Sequence, residues 1–233
     1  SFTERKKYAQ AAIVLLVLVL FYPVTLTKLT LFAAPWLLFL VVLSRIAAPR
    51  TSIILSLLVP LSVGITLSAL MMSGFIGPEL ASTYVGTVNS RMVALPSIAL
   101  EVYNDYFARS PLTYFCQINA LKFIIACPYS EPLSIVMSKT YQLGNLNASL
   151  FATEGIASLG LLLAPLSALV CGLVIALANR VSSGLPATFI IVSGGMLPHV
   201  MLNVPLSTSL LTYGGAVLFL LWYITPRSAF GRE

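Results

Sequence analysis

The sequence predicts an all-α fold, a polytopic membrane helix bundle with about six clear spans and one long loop between the third and the fourth. Charged residues make up 9% of the 233-residue chain and hydrophobic ones 58%, whereas a soluble domain carries about a quarter charged residues. Mean hydropathy is +0.97, and the apolar residues come in runs long enough to cross a bilayer. The basic residues stand singly between those runs, so the net charge of +6 describes topology and offers no stripe or patch for nucleic acid.

Glu4-Arg5-Lys6-Lys7 precedes the first run, Ala11 to Leu26; a basic cluster there keeps the N-terminus in the cytoplasm. A turn over Thr25 to Thr30 leads into a second span, Leu31 to Ile46, which returns to Arg45 and Arg50. Ser52 to Met72 is the third, with Pro60 and Gly64 as expected kink points. The fourth runs from Gly155 to Ala178 and ends at Asn179-Arg180. Leu185 to Asn203 climbs back out, and Leu206 to Ile224 descends to Pro226-Arg227 and Arg232.

In this layout eight of the 13 basic residues, Arg5, Lys6, Lys7, Arg45, Arg50, Arg180, Arg227 and Arg232, face the cytoplasm. Lys28, Arg91, Arg109, Lys122 and Lys139 face outward. That asymmetry is what the positive-inside rule requires. The chain divides into three spans over 1–72, an outer loop over 73–154 and three spans over 155–233, all within one membrane domain. It opens on Ser1 rather than Met, and further spans are expected ahead of it.

The outer loop holds five of the seven acidic residues, Glu79, Glu101, Asp105, Glu131 and Glu154. Arg91 to Phe107 reads as a helix opened by Arg91 after a loop over Thr83 to Ser90, and Tyr114 to Ala126 as a second apolar segment. Both are short for spans, so they are expected to be interfacial or re-entrant, with Tyr103, Tyr106, Tyr114 and Phe115 as interface residues. Cys127-Pro-Tyr-Ser-Glu-Pro132 is a loop by its prolines, and Gly144-Asn145 a turn. Cys116 and Cys127 can bridge if the loop faces an oxidising compartment; Cys171, inside a span, is a packing residue.

Four features carry candidate chemistry. A helix opening near Asn147 would set Asn147, Phe151 and Glu154 on one face at the mouth of the fourth span, and a carboxylate partly withdrawn from water suits a general base. Arg91 presents a guanidinium, which binds phosphate oxygens in a bidentate fork, beside a membrane whose lipids carry phosphates. Asp105 and Arg109, four apart, are placed for a helical ion pair. His199 lies in the outer half of its span near Asn203, and an ionisable group at membrane depth is a functional candidate. No cysteine or histidine spacing resembles a zinc site, and Asp105 is the sole aspartate, so no metal and no cofactor is expected.

Arg91 with Pro96, Tyr103-Asn-Asp-Tyr-Phe107, then Gly144-Asn-Leu-Asn-Ala-Ser-Leu-Phe-Ala-Thr-Glu154-Gly-Ile-Ala-Ser-Leu-Gly160, resembles the oligosaccharide repeat unit polymerases, the O-antigen polymerase family. The order is also similar: an arginine-led helix, an aromatic cluster, a long outer loop, an asparagine followed by an acid, and a glycine-containing span. Asn203-Val-Pro-Leu-Ser-Thr-Ser209 looks like that family's polar step between its last two spans. Two departures are Glu154 where the family places Asp, and a shorter chain.

The resemblance implies a metal-independent glycosyltransferase of the bacterial inner membrane. It would transfer a glycan from an undecaprenyl pyrophosphate carrier to another lipid-linked repeat unit at the periplasmic face. Arg91 would stabilise the leaving pyrophosphate, helped by Arg109 or Lys139, and Glu154 would take the acceptor proton. Asn145, Asn147, Tyr103, Asp105 and His199 would line the substrate site. Implied partners are the lipid-linked oligosaccharides, the bilayer and a chain-length regulator protein. A ligase that transfers glycan to another lipid acceptor, and a polysaccharide or lipid transporter, are the alternatives.

Overall fold

A computed structural model describes residues 2–20, 28–118, 121, 123–144, 146 and 152–230. Among them the chain is all helical, with no strand. The elements are α1 (Phe2–Leu20), α2 (Lys28–Ile46), α3 (Pro49–Met72), α4 (Pro78–Tyr84), a π-helix π1 (Val85–Ala94), α5 (Leu95–Phe107), α6 (Leu133–Tyr141), α7 (Ala152–Ser182), α8 (Ala187–Gly194), α9 (Leu197–Asn203), α10 (Leu206–Leu211), α11 (Gly215–Ile224) and a closing 3₁₀ turn, Arg227–Phe230. Two helices, α3 and α7, are long and apolar enough to cross a membrane. Phe32–Ile46 and Gly215–Ile224 are shorter apolar helices, and Ala187–Asn203 is a shorter apolar helical stretch made of α8 and α9.

The last two expected spans are not single helices. Leu185 to Asn203 divides after Gly194, where two glycines precede Pro198, a residue with no N–H to carry a helical bond back to Gly194. Leu206 to Ile224 divides at Gly214, which sits in the left-handed region at φ 77°. The fourth expected span is broken as well: Gly160 has φ 72° and ψ 170° inside α7. A Cβ on Gly155 would overlap Ser167 and approach the carbonyl of Ala164. Residues twelve apart on a straight helix stand roughly 18 Å apart, so the leg before Gly160 folds back along the leg after it, with small residues at the contact.

The chain forms two compact units. The first holds α1, α2, the opening of α3 and α8. Here Ser52 is buried, and its hydroxyl is shared between the carbonyls of Leu43 (3.0 Å) and Ala47 (3.2 Å), closing the α2–α3 turn. The Trp36 indole donates to the carbonyl of Gly195 at 3.0 Å, a residue whose missing side chain makes room for Leu40.

The second unit holds the remainder. Here α4, π1 and α5 run on without a break, which corrects the expected loop over Thr83 to Ser90 and the expectation that Arg91 opens a helix. The N–H of Leu95 bonds the carbonyl of Ser90, five residues back. Pro96 has no N–H to continue that register, so the π segment ends and α5 begins. Against α3, the Tyr84 hydroxyl donates to the carbonyl of Pro60 (3.0 Å) and the Asn89 amide to that of Leu61 (3.0 Å). Asn89 packs over Gly64, where any Cβ would displace it.

The loop itself has a core. Ala99, Val102, Tyr103 and Phe107 of α5 pack with Met137 of α6, Leu146, and Ile156 and Ala157 of α7. Each large apolar side chain buried there contributes about 1.5–3 kcal/mol. Thr113 supplies what the break in α7 removes: its N–H donates to the orphaned carbonyl of Ala157 at 2.7 Å, and its hydroxyl meets that of Ser158 at 3.0 Å. The described residues of the second apolar segment, Tyr114 to Ala126, form successive turns, and Cys116 and Cys127 are joined by a disulfide.

Arg227 closes the helical layer. Its guanidinium donates to Val181 O (2.7 Å) at the end of α7 and to Tyr223 O (3.1 Å) and Thr225 O (2.9 Å) at the end of α11. A cation there satisfies last-turn carbonyls and meets the negative ends of two dipoles. Arg227→Ala is expected to lower stability by roughly 1–3 kcal/mol, read as a lower thermal midpoint of the detergent-solubilised protein. Arg227→Lys recovers only part, because one ammonium cannot reach both sets of carbonyls.

Candidate functional site

The polar step between α9 and α10, Asn203-Val-Pro-Leu-Ser207, is where the two residues of greatest chemical interest arrive. Pro205 disfavours helix at Val204 and lacks an N–H, so α9 ends at Asn203 and α10 starts afresh at Leu206. Arg91 reaches one end of the step from π1: its Nη1 donates to Asn203 Oδ1 at 3.2 Å. Asn203 in turn donates through Nδ2 to the carbonyl of His199 at 2.7 Å. Glu154 reaches the other end from the short leg of α7, where one carboxylate oxygen accepts the Ser207 hydroxyl and the other its backbone N–H at 3.5 Å.

Helix ends explain why each charge is stable where it stands. Arg91 lies by the carbonyl end of α9, and Glu154 covers a first-turn N–H of α10. Yet among the described residues neither is in an ion pair. Arg91 is exposed, while Glu154 is half-buried. Four residues of chain span at most about 14 Å, so a cation with unused donors and a carboxylate partly shielded from water flank one short step. That arrangement can hold an anionic group at one end and accept a proton at the other.

No protein-family model, curated protein or solved structure matches the chain.

The other sequence-based site residues lie apart from this step. Tyr103 is buried, and its hydroxyl donates to the carbonyl of Leu146 at 3.1 Å. Burial holds its phenol above the ordinary range, so it is a core residue that fastens the loop and offers no group to a sugar. Arg109 pairs with Asp105, as its spacing predicts. Lys139 is bound to both oxygens of Glu131, at 2.6 and 2.8 Å. Neither cation is free to join Arg91 without breaking its pair. His199 is half-buried on α9, one turn before Asn203, beside the Arg91 end. Asn145 and Asn147 lie outside the described residues.

Asp105 has a structural part of its own. It accepts the Tyr141 hydroxyl at 2.6 Å as well as the Arg109 guanidinium, tying α5 to α6. Those bonds, Tyr141 first, hold its carboxyl below its ordinary value of 3.8. The Tyr141 phenol is pushed up to about 12, by desolvation first and the Asp105 bond second, and so remains a donor. A carboxyl depressed by folding contributes stability that is complete above its unfolded-state pKa and is lost as pH falls through the lower folded-state value. Acidification below pH 3.8 is therefore expected to loosen the α5–α6 tie in the native protein. Tyr141→Phe is expected to bring that loss to higher pH, followed by titrating the Asp105 carboxyl by NMR.

Asn203 and Ser207 belong to this site, although sequence reasoning gives neither of them a catalytic or substrate-binding role. Their signal is legible: two hydrogen-bonding side chains flank a proline inside an otherwise apolar stretch. Nothing in the spacing says which loop residues they meet.

Proposed function

We propose that this chain is a membrane glycosyltransferase that joins lipid-linked oligosaccharide repeat units. The observation that carries the reading is the arrival of Arg91 and Glu154 at the two ends of the Asn203–Ser207 step. An acceptor sugar hydroxyl gives its proton to Glu154 while its oxygen attacks the anomeric carbon of the donor. The bond from that carbon to the pyrophosphate oxygen breaks, and its electron pair leaves with the pyrophosphate. Arg91 supplies the fixed charge for the leaving anion, and Ser207 holds Glu154 in place.

The reading puts the reaction on the periplasmic side of a six-span bacterial inner-membrane bundle; the Cys116–Cys127 disulfide, which suits an oxidising compartment for the 73–154 region, and the basic-residue asymmetry support it. Undecaprenyl pyrophosphate oligosaccharides are then the substrates, and a chain-length regulator the expected protein partner. Deleting the source gene and running the surface polysaccharide on a gel tests the reading. Loss of the ladder with retention of single-repeat product supports a polymerase. Loss of both indicates a ligase, and an unchanged ladder sinks glycosyl transfer altogether.

A transporter is the second reading, and the helix breaks at Gly160, Gly194 and Gly214 favour it. Broken helices that present their ends to a substrate are a transporter device. It ranks lower because the expected spans are nearly devoid of charge, whereas transport sites at the midplane commonly carry it. Substrate uptake by proteoliposomes, with no change in glycan length, would reverse the ranking.

A further inference from the structure

The loop closed by Cys116 and Cys127 carries the most exposed aromatic side chain among the described residues: Phe123 is 94% exposed and its neighbour Ile124 81%. Tyr114, on the other side of the disulfide, is 62% exposed. None of the three lies in a helix, so their exposure is not that of a span stripped of its lipid. The backbone that carries them is constrained. The disulfide holds the two Cα atoms 5.2 Å apart, and tight turns link Thr113 to Cys116, Phe115 to Ile118, Ile118 to Leu121, and Leu121 to Ile124.

The root of this loop is fastened to one definite place. Thr113 donates its N–H to Ala157 O at 2.7 Å, and Leu112 lies 3.6 Å from the position a Cβ would take on Gly160. Gly160 is the residue from which the apolar leg of α7 departs, and that leg opens with Leu161, Leu162 and Leu163, of which Leu162 is 89% exposed. The loop therefore springs from the end of the apolar surface that α7 exposes. Tyrosine favours the interfacial layer, and exposed phenylalanine and large aliphatic side chains beside it gain by burial there.

We infer that Phe123 and Ile124 form a lipid anchor, seated by the disulfide-closed loop in the interface of the bilayer that α7 crosses. The inference rests on the membrane-spanning reading of α7 and is independent of glycosyl transfer. Its effect is to pin the 73–154 region close to the bilayer surface, where a lipid-linked substrate or any other membrane-bound ligand would be presented.

The test uses the full chain in phosphatidylcholine vesicles, with Phe123→Trp and Ile124→Trp made separately so that one misfolded variant does not end the experiment. The emission of the unsubstituted protein is subtracted to remove Trp36 and Trp222. For a lipid anchor the added emission is blue-shifted and at least halved when the vesicles are made of phosphatidylcholine brominated near the headgroup end of its chains. Emission at the wavelength of tryptophan in water overturns the inference. So does blue-shifted emission that brominated lipid leaves unquenched, which means cover by protein.

Discussion

Glu154→Gln is expected to cut polymer formation by roughly 100- to 10,000-fold while the protein accumulates to its normal level. The amide keeps the size of the carboxylate and can still accept the Ser207 hydroxyl, so the contact that holds α10 to the short leg of α7 survives in part. What it cannot do is take a proton. A residue that served only to cap the first turn of α10 would behave oppositely: its loss costs stability, about 0.5–2 kcal/mol for a lost cap, and leaves the remaining folded protein fully active. Measuring turnover per folded molecule on lipid-linked repeat units, beside the thermal midpoint, separates the two. Normal turnover per folded molecule would leave Glu154 with a structural part alone. Ser207→Ala sharpens the comparison, because it keeps the carboxylate and removes the hydroxyl that orients it.

The all-helical class was legible in composition and apolar runs, and the Asp105–Arg109 pair in its spacing. Less legible were the breaks. Gly160, Gly194 and Gly214 stand in apolar runs where a glycine is equally at home in an unbroken helix, and only the backbone angles at Gly160 and Gly214 show which choice the chain has made. The π segment was invisible for a similar reason. Residues 85–94 have no composition of their own, and the cause of the register shift, Pro96, acts on carbonyls several residues upstream. A helical period read forward from Arg91 therefore starts in the wrong place.

The site was half legible. Arg91 and Glu154 stand out as charges next to apolar runs, but their partners are 112 and 53 residues away in sequence. Tyr103, expected at the interface and in the substrate site, is instead packed in the core formed by α5, α6 and α7. Lys139 is likewise held by Glu131, eight residues before it across the Pro132 turn.

Arg91→Ala is expected to lower polymer formation by roughly 100- to 1,000-fold, the loss seen when a donor that stabilises developing negative charge is removed. The fold should tolerate the change. Arg91 is exposed, is in no ion pair among the described residues, and makes one side-chain hydrogen bond, to Asn203. Arg91→Lys is the discriminating variant. If the guanidinium merely anchors π1 among lipid headgroups or offsets the carbonyl end of α9, an ammonium does the same work and the ladder is unchanged. If it binds a pyrophosphate through its planar fork, a lysine keeps the charge and loses the second hydrogen bond, so the ladder shortens without vanishing. Asn203→Ala then tells whether the amide only steadies Arg91. With the bond to Oδ1 gone, the arginine keeps its charge and loses its aim, and the variant should fall between wild type and Arg91→Ala, with a larger loss at low donor concentration than at saturation.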